Sequence, residues 1–171
     1  MNFKDIEVRV NKPYPQIVGA VNDNMTVAVL KNLANGKMGE LNASCKYVYQ
    51  SVIANIPTPE IADILEEIGI VEMMHLEMLM DAIVEFGGKP KYEDAQGNYF
   101  TTAGLDYGVK LKDMLANNIA TEQRAVKNYE EAIMRVKNDS LKNLFKRIIK
   151  DEERHIQIFK NLLNTVEFMS I

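Results

Sequence analysis

The stretch Ile148-Ile149-Lys150-Asp151-Glu152-Glu153-Arg154-His155-Ile156 decides the fold. Glu152 lies seven residues after Phe145 and three before His155, and His155 lies four before Phe159. At helical period these positions share one face, so a carboxylate and an imidazole project along the stripe that carries the apolar side chains. The pattern recurs at Glu72-Met73-Met74-His75, where Glu72 stands seven residues after Leu65 and seven before Leu79. The chain has two histidines, and each completes a Glu-x-x-His pair. A buried carboxylate loses its hydration, so its place on a core-facing stripe calls for a cation or a strong partner.

Two more acids fit the same design. Glu40 has Leu33 seven residues before it and Tyr47 seven after, while Glu122 has Leu115 and Tyr129 at the same distances. Glu40 precedes Glu72 by 32 residues and Glu122 precedes Glu152 by 30, which reads as a duplicated helix pair.

The rest of the chain supplies the helices that would carry these residues. Ile6, Val8 and Val10 alternate, and Pro13-Tyr14-Pro15 then breaks the chain, so residues 1–23 read as an extended arm. From Met25 a helical period runs through Val27, Leu30 and Leu33, crosses the interruption Gly36 to Gly39, and continues through Leu41, Val48 and Val52. This predicts one kinked helix, or a short helix followed by a long one. Thr58-Pro59-Glu60 offers an N-cap, a proline at the first helical position and an acid in the first turn, opening a helix that stops at Gly87-Gly88-Lys89-Pro90. A connection of about twenty residues without period follows, long for a compact domain. Helical period resumes at Val109, and Asn138-Asp139-Ser140 offers a cap for a last helix through Leu141, Phe145, Ile148 and Leu162. The expectation is an all-α fold: a four-helix bundle over 24–164, made of two antiparallel pairs joined by a long crossover, with 165–171 as a short tail.

Composition narrows the function. The chain has 171 residues, 47% hydrophobic and 26% charged, with a net charge of −4, which suits one globular domain. The mild acidic excess speaks against a nucleic-acid partner. A single cysteine, Cys45, allows neither an internal disulfide nor a thiolate metal site, and it fits the cytoplasm. The N-terminal residues have no signal-peptide pattern, and no apolar run is long enough to span a membrane.

Four glutamates and two neutral histidines carry four negative charges, the balance for two divalent cations. Mixed carboxylate and imidazole suits Fe or Mn, and Zn can occupy such a site. The expected metal ligands are Glu40, Glu72, His75, Glu122, Glu152 and His155. Tyr47 and Tyr129 fall on the ligand face and are read either as hydrogen-bond donors to the carboxylates or as ordinary core tyrosines. Asp151 either orients a histidine ring or is an exposed acid beside Lys150.

Residues 25–163 resemble the ferritin-like superfamily of di-metal carboxylate proteins. The 148–156 segment, Glu40-Leu41 with Tyr47, and the Glu72 to His75 motif are similar to bacterioferritins. Gly39-Glu40 through Ser51, Ile68-Gly69, His75-Leu76-Glu77, the loop Asp94 to Asn98, and Ala120 to Glu130 resemble manganese catalase and its spore-coat relatives. Rubrerythrins share the ligand spacing, although the chain lacks CxxC pairs and has Ala125 where they carry another glutamate. Eight residues follow Leu163, so no fifth helix of the cage-forming kind is expected. Met73 occupies the bacterioferritin haem-ligand position, and is read as a core or interface methionine. The resemblance to catalases implies that Glu152 carries protons rather than ligating.

What this implies is a two-metal oxidoreductase acting on hydrogen peroxide or dioxygen, as a catalase or as a peroxidase with an external electron donor. The residues expected to take part in catalysis are Glu152, Tyr47 and Tyr129. The alternatives are a ferroxidase and a coat-like structural protein pinned by metal. A homo-oligomer is expected, with the arm and the crossover as candidate contacts.

Overall fold

The computed structural model describes residues 6–169, so the first five residues of the expected arm and the last two of the expected tail lie outside the described residues. Five α-helices form the four rods of a bundle: α1 (Asn24–Asn35), α2 (Glu40–Ala54), α3 (Pro59–Glu85), α4 (Leu111–Arg135) and α5 (Asp139–Met169). The first rod is broken into α1 and α2. α2 packs chiefly on α3, and α4 on α5. No sheet forms among the described residues; the crossover between α3 and α4 holds one isolated bridge, Glu93 to Tyr99, and a 3-10 turn at Thr102–Gly104.

Local chemistry places the helix ends. Asp23 caps α1, accepting hydrogen bonds from the amides of Met25 and Thr26. At the break, a Cβ on Gly39 would lie 2.5 Å from the Leu33 carbonyl oxygen, so only glycine fits between the two helices. Glu40 then opens α2, where unpaired amides favour a carboxylate. Thr58 stands at the N-cap of α3 as expected, but its hydroxyl bonds the Ala54 carbonyl instead of capping the helix. Gly87, at φ +84, turns the chain out of α3 in the left-handed region. Asn138 accepts from the Leu141 amide at the start of α5.

Three boundaries and faces differ from the expectations. Val109 precedes α4 and is exposed, because the helix begins at Leu111. α5 continues through residues 165–169, with Val166 buried, so most of the expected tail is helix. Val48 and Val52 point outward at 49% and 69% exposure, because Glu40 and Tyr47, seven residues apart, set the opposite face of α2 inward. The inward face of α2 instead carries Glu40, Ser44, Lys46, Tyr47 and Gln50.

Residues 6–23 lie antiparallel along α5. Arg154 donates to the Glu7 carbonyl, Arg147 to the carbonyls of Val10 and Lys12, and the Val18 amide donates to Ser140. The arm is thus a component of its own subunit's packing, with Val8 buried in one of two apolar clusters. Those clusters flank the polar middle of the bundle. One holds Leu30, Leu79, Ile83, Phe145 and Ile148, and the other Leu65, Ile68, Leu115, Phe159 and Leu162. No described helix is long and apolar enough to cross a membrane.

Candidate metal centre

Between the two clusters, the structure brings together all six side chains expected as ligands. They form two overlapping groups, Glu40, Glu72, His75 and Glu152, and Glu72, Glu122, Glu152 and His155, with one potential ligand atom from each residue within 4.8 Å of the others in its group. Glu72 and Glu152 belong to both groups. All six are buried, Glu40 the most accessible at 5% exposure. α2 and α4 each contribute one glutamate, and α3 and α5 each contribute a Glu-x-x-His pair.

The atoms face a common centre more than they satisfy one another. His155 Nδ1 lies 3.0 Å from Glu72 Oε1 and 3.4 Å from Glu152 Oε2, yet neither contact has hydrogen-bond geometry. Glu72 Oε1, Glu122 Oε1 and both Glu152 oxygens have no hydrogen-bond partner among the described residues. His75 Nδ1 is 3.1 Å from Glu72 Oε2 and 3.1 Å from Glu152 Oε1. Buried carboxylate oxygens left without donors are costly, and divalent cations are the partners this donor set suits. The residues fit a pair of such ions.

Without a cation, protons must offset the crowded charges. Burial pushes the Glu40 carboxyl up to about 8, and the neighbouring Glu152 and Glu72 add to the rise. Burial likewise holds Glu122 well above the usual carboxylate range, with Glu152 repelling it. For His155, burial alone would lower the value, but the carboxylates of Glu72 and Glu152 outweigh it and raise it to about 10. Glu72 moves the opposite way: burial would raise it, and the two imidazoles pull it below its ordinary value.

Around this cage the two tyrosines part company. Tyr129 donates its hydroxyl to Glu40 Oε1. Tyr47 packs its ring 5.5 Å from that of Phe159, and its buried hydroxyl has no hydrogen-bond partner among the described residues. The expectation of a hydroxyl bonded to a carboxylate therefore describes Tyr129 and not Tyr47 here. Asp151 is fully buried and sits against a histidine, but the ring is His75, across the bundle on α3, with Nε2 3.3 Å from Asp151 Oδ2.

Sequence reasoning missed what holds Asp151. Arg147, one turn earlier on α5, pairs with it at 2.8 Å, Tyr14 donates to it at 2.6 Å and the Val10 amide at 2.7 Å. Burial would raise the Asp151 carboxyl, but these donors and His75 hold it below its usual range. The four-residue spacing of Arg147 and Asp151 was a readable signal; the docking of Tyr14 was not. Also missed were Lys46, buried over the Tyr47 ring with its Nζ 4.4 Å from the centroid, and the buried Gln50 and Asn118, which exchange two hydrogen bonds between α2 and α4.

An opening between α2 and α4 reaches the cage. Its inner part, about 10 Å³, is bordered by Glu40, Glu122, Tyr129, Ala43 and Ala125, room for about one water. Leu33, Met38 and Asn128 border both this throat and an outer cavity of about 360 Å³, which also has Asp94, Glu131 and Arg135 on its walls.

Comparison with known proteins matches this arrangement. The family described as a ferritin-like domain matches residues 30–169. A probable manganese catalase of Clostridium acetobutylicum is 22% identical over 183 residues, covering 95% of this chain and 76% of its own length. A bacterioferritin of Mycolicibacterium paratuberculosis is 28% identical over 147 residues, covering 84% of this chain and 88% of its own. Among solved structures, KatB, a manganese catalase from Anabaena PCC7120, superposes with a TM-score of 0.83 at 26% identity, covering 93% of this chain and 80% of KatB. With four rods, paired Glu-x-x-His motifs and a matching carboxylate on each remaining helix, the chain belongs to the ferritin-like domain family.

Proposed function

We propose that this protein is a di-iron or di-manganese oxidoreductase whose substrate is hydrogen peroxide. The observation that carries the reading is the buried cage of four glutamates and two histidines, a donor set suited to a pair of redox-active ions, with a small opening over Glu40 and Glu122. The similarity to proteins named as manganese catalases supports the same reading.

Glu40, Glu72, His75, Glu122, Glu152 and His155 would hold the two ions. Bound there, a pair of Fe or Mn ions supplies Lewis acidity and reversible redox change. The chain's own residues orient and move protons. Tyr129 fixes the Glu40 carboxylate by its hydrogen bond, and Asp151 fixes the His75 ring through Nε2. Glu122 Oε1 has no hydrogen-bond partner among the described residues and its residue borders the throat, so it is placed to hold a proton passing between substrate molecules. Glu152, between the two imidazoles, is kept anionic: burial and Glu72 would raise its value, and the histidines hold it low. Disproportionation consumes two peroxides and yields two waters and one dioxygen, with no external reductant. A peroxidase cycle would draw two electrons and two protons from an outside donor for each peroxide reduced.

Oxygen release on adding peroxide to the Mn- or Fe-loaded protein tests the reading. Sustained evolution supports disproportionation, and evolution near zero with either metal rejects it. Negligible turnover with a fall in melting temperature on metal removal would indicate a metal-pinned structural protein. A second reading, ferroxidase activity, is favoured by the similarity to a protein named as a bacterioferritin. Iron oxidation by dioxygen together with elution at cage size would support it.

A further inference from the structure

We infer that Tyr14 is a positioning residue for His75, and that docking of the N-terminal arm and binding of a cation in the cage strengthen one another through it. The link rests on the metal reading of the cage and deepens it.

The imidazole has one nitrogen for each task. His75 Nδ1 faces the cage, 3.1 Å from an oxygen of Glu72 and 3.1 Å from one of Glu152. It can hold a cation only when the ring proton sits on the other nitrogen. Nε2 lies 3.3 Å from Asp151 Oδ2 and 3.5 Å from the Tyr14 hydroxyl. That hydroxyl donates its own proton to Asp151 Oδ2 at 2.6 Å, so the carboxylate is the acceptor for Nε2–H. The Tyr14 and His75 rings meet at 80°, with centroids 6.0 Å apart.

Asp151 keeps its orientation through the arm. Two of its donors, the Val10 amide and the Tyr14 hydroxyl, belong to the arm, and the third, Arg147, is tied to it. Arg147 donates to the Val10 and Lys12 carbonyls, and its guanidinium lies 4.3 Å from the centre of the Tyr14 ring. If residues 10–14 lift, Asp151 loses two hydrogen bonds, Arg147 loses two, and water reaches the carboxylate that orients the ring. The arm also crosses to α3, where Arg9 reaches the sulfur of Met74, the neighbour of His75. α3 and α5 pack sparingly on each other, so residues 9–14 bridge the seam beside the ligand.

The repeated Glu-x-x-His motif does not by itself require this network. Val71 stands before Glu72 as Asp151 stands before Glu152, and His155 Nε2 has no hydrogen-bond partner among the described residues. The hold on His75 is an addition, made by α5 and the arm together. A cation on Nδ1 keeps the proton on Nε2 and draws it toward Asp151, whose orientation depends on the docked arm. By linkage, the factor that the docked arm adds to cation affinity is returned by the bound cation to arm docking.

Hydrogen exchange of the full-length chain by NMR, with and without Zn²⁺, tests the inference; Zn²⁺ is redox-silent and accepts this donor set. The Val10 amide reports release of the arm, and the amide of buried Leu79 within α3 reports global opening. Val10 is expected to exchange faster than Leu79 in the metal-free chain, and to slow about tenfold or more when Zn²⁺ binds. Tyr14→Phe keeps the ring beside Arg147 and removes the hydroxyl. It is expected to weaken Zn²⁺ binding by calorimetry about tenfold, the lower end for such outer partners, and to shrink the Val10 response. A tyrosine that only packs the arm would lower the melting temperature and leave Zn²⁺ affinity unchanged, and that result overturns the inference. So does Val10 exchange that bound Zn²⁺ fails to slow, or that matches Leu79 in both states; these wild-type measurements decide even if the variant misfolds. A chain that takes up no Zn²⁺ would instead reject the metal reading itself.

Discussion

The two halves of the cage are built from the same helix-pair pattern and finished differently. On the Glu40 and His75 side, a tyrosine, an aspartate, an arginine and the N-terminal arm close a network around the ligands. On the Glu122 and His155 side, Glu122 Oε1, His155 Nε2 and the Tyr47 hydroxyl have no hydrogen-bond partner among the described residues. Repetition of Glu-x-x-His creates two pockets, but the residues outside the motif decide how rigid each pocket is. A rigid half suits permanent possession of an ion; a loose half suits change of ligands around one.

The largest effect should come from removing what both halves share. Glu72→Ala takes a carboxylate from each pocket, and metal content by elemental analysis should fall from two ions per chain to less than one. If two ions remain, Glu72 is not shared between them.

Next comes the brace itself. Asp151→Ala leaves Arg147 buried without its partner, a change that costs about 3–5 kcal/mol in stability by urea denaturation. Because donors hold the Asp151 carboxyl below its unfolded value, its stabilisation is present above the unfolded pKa and is lost as pH falls through the lower folded value. The wild-type and Asp151→Ala stability curves should therefore converge at strongly acidic pH.

Acid should also weaken metal uptake, because cations and protons compete for the same oxygens. Glu40, raised to about 8 by burial, is protonated below that value in the metal-free cage. Binding of Co²⁺ should release protons, and the apparent affinity should climb as pH rises toward 8. Affinity independent of pH across this range would mean that Glu40 is not a ligand.

The smallest effect separates the tyrosines. Tyr129→Phe removes a buried hydrogen bond to the Glu40 carboxyl, protonated in the metal-free cage, worth about 0.5–1.5 kcal/mol. Tyr47→Phe removes a hydroxyl with no partner among the described residues and should leave stability of the metal-free protein within about 0.5 kcal/mol. Equal losses would mean that both hydroxyls brace carboxylates.

The bundle and the gathering of six polar side chains were legible because both follow from helical period. Heptad spacing put Glu40, Glu72, Glu122 and Glu152 in register with Leu and Tyr, and short turns made neighbours of the helices that carry them. The asymmetry was not legible. Apolar pattern favoured Val48 and Val52 as the inward face of α2, but the cage needs a polar inward face, and Lys46, Gln50 and Glu40 occupy it. Tyr14 reaches Asp151 across 137 positions of sequence, a contact that only the docked arm creates. Asp151 could be read as solvated or buried until Arg147, a turn away on the same helix, was placed beside it.

Metal content of the protein purified from its own host tests the central claim most directly. Two Fe or Mn ions per chain, falling below one in Glu72→Ala and to about one in His155→Ala, is the expected result. Less than one ion per chain, or two ions that survive both substitutions, would contradict it.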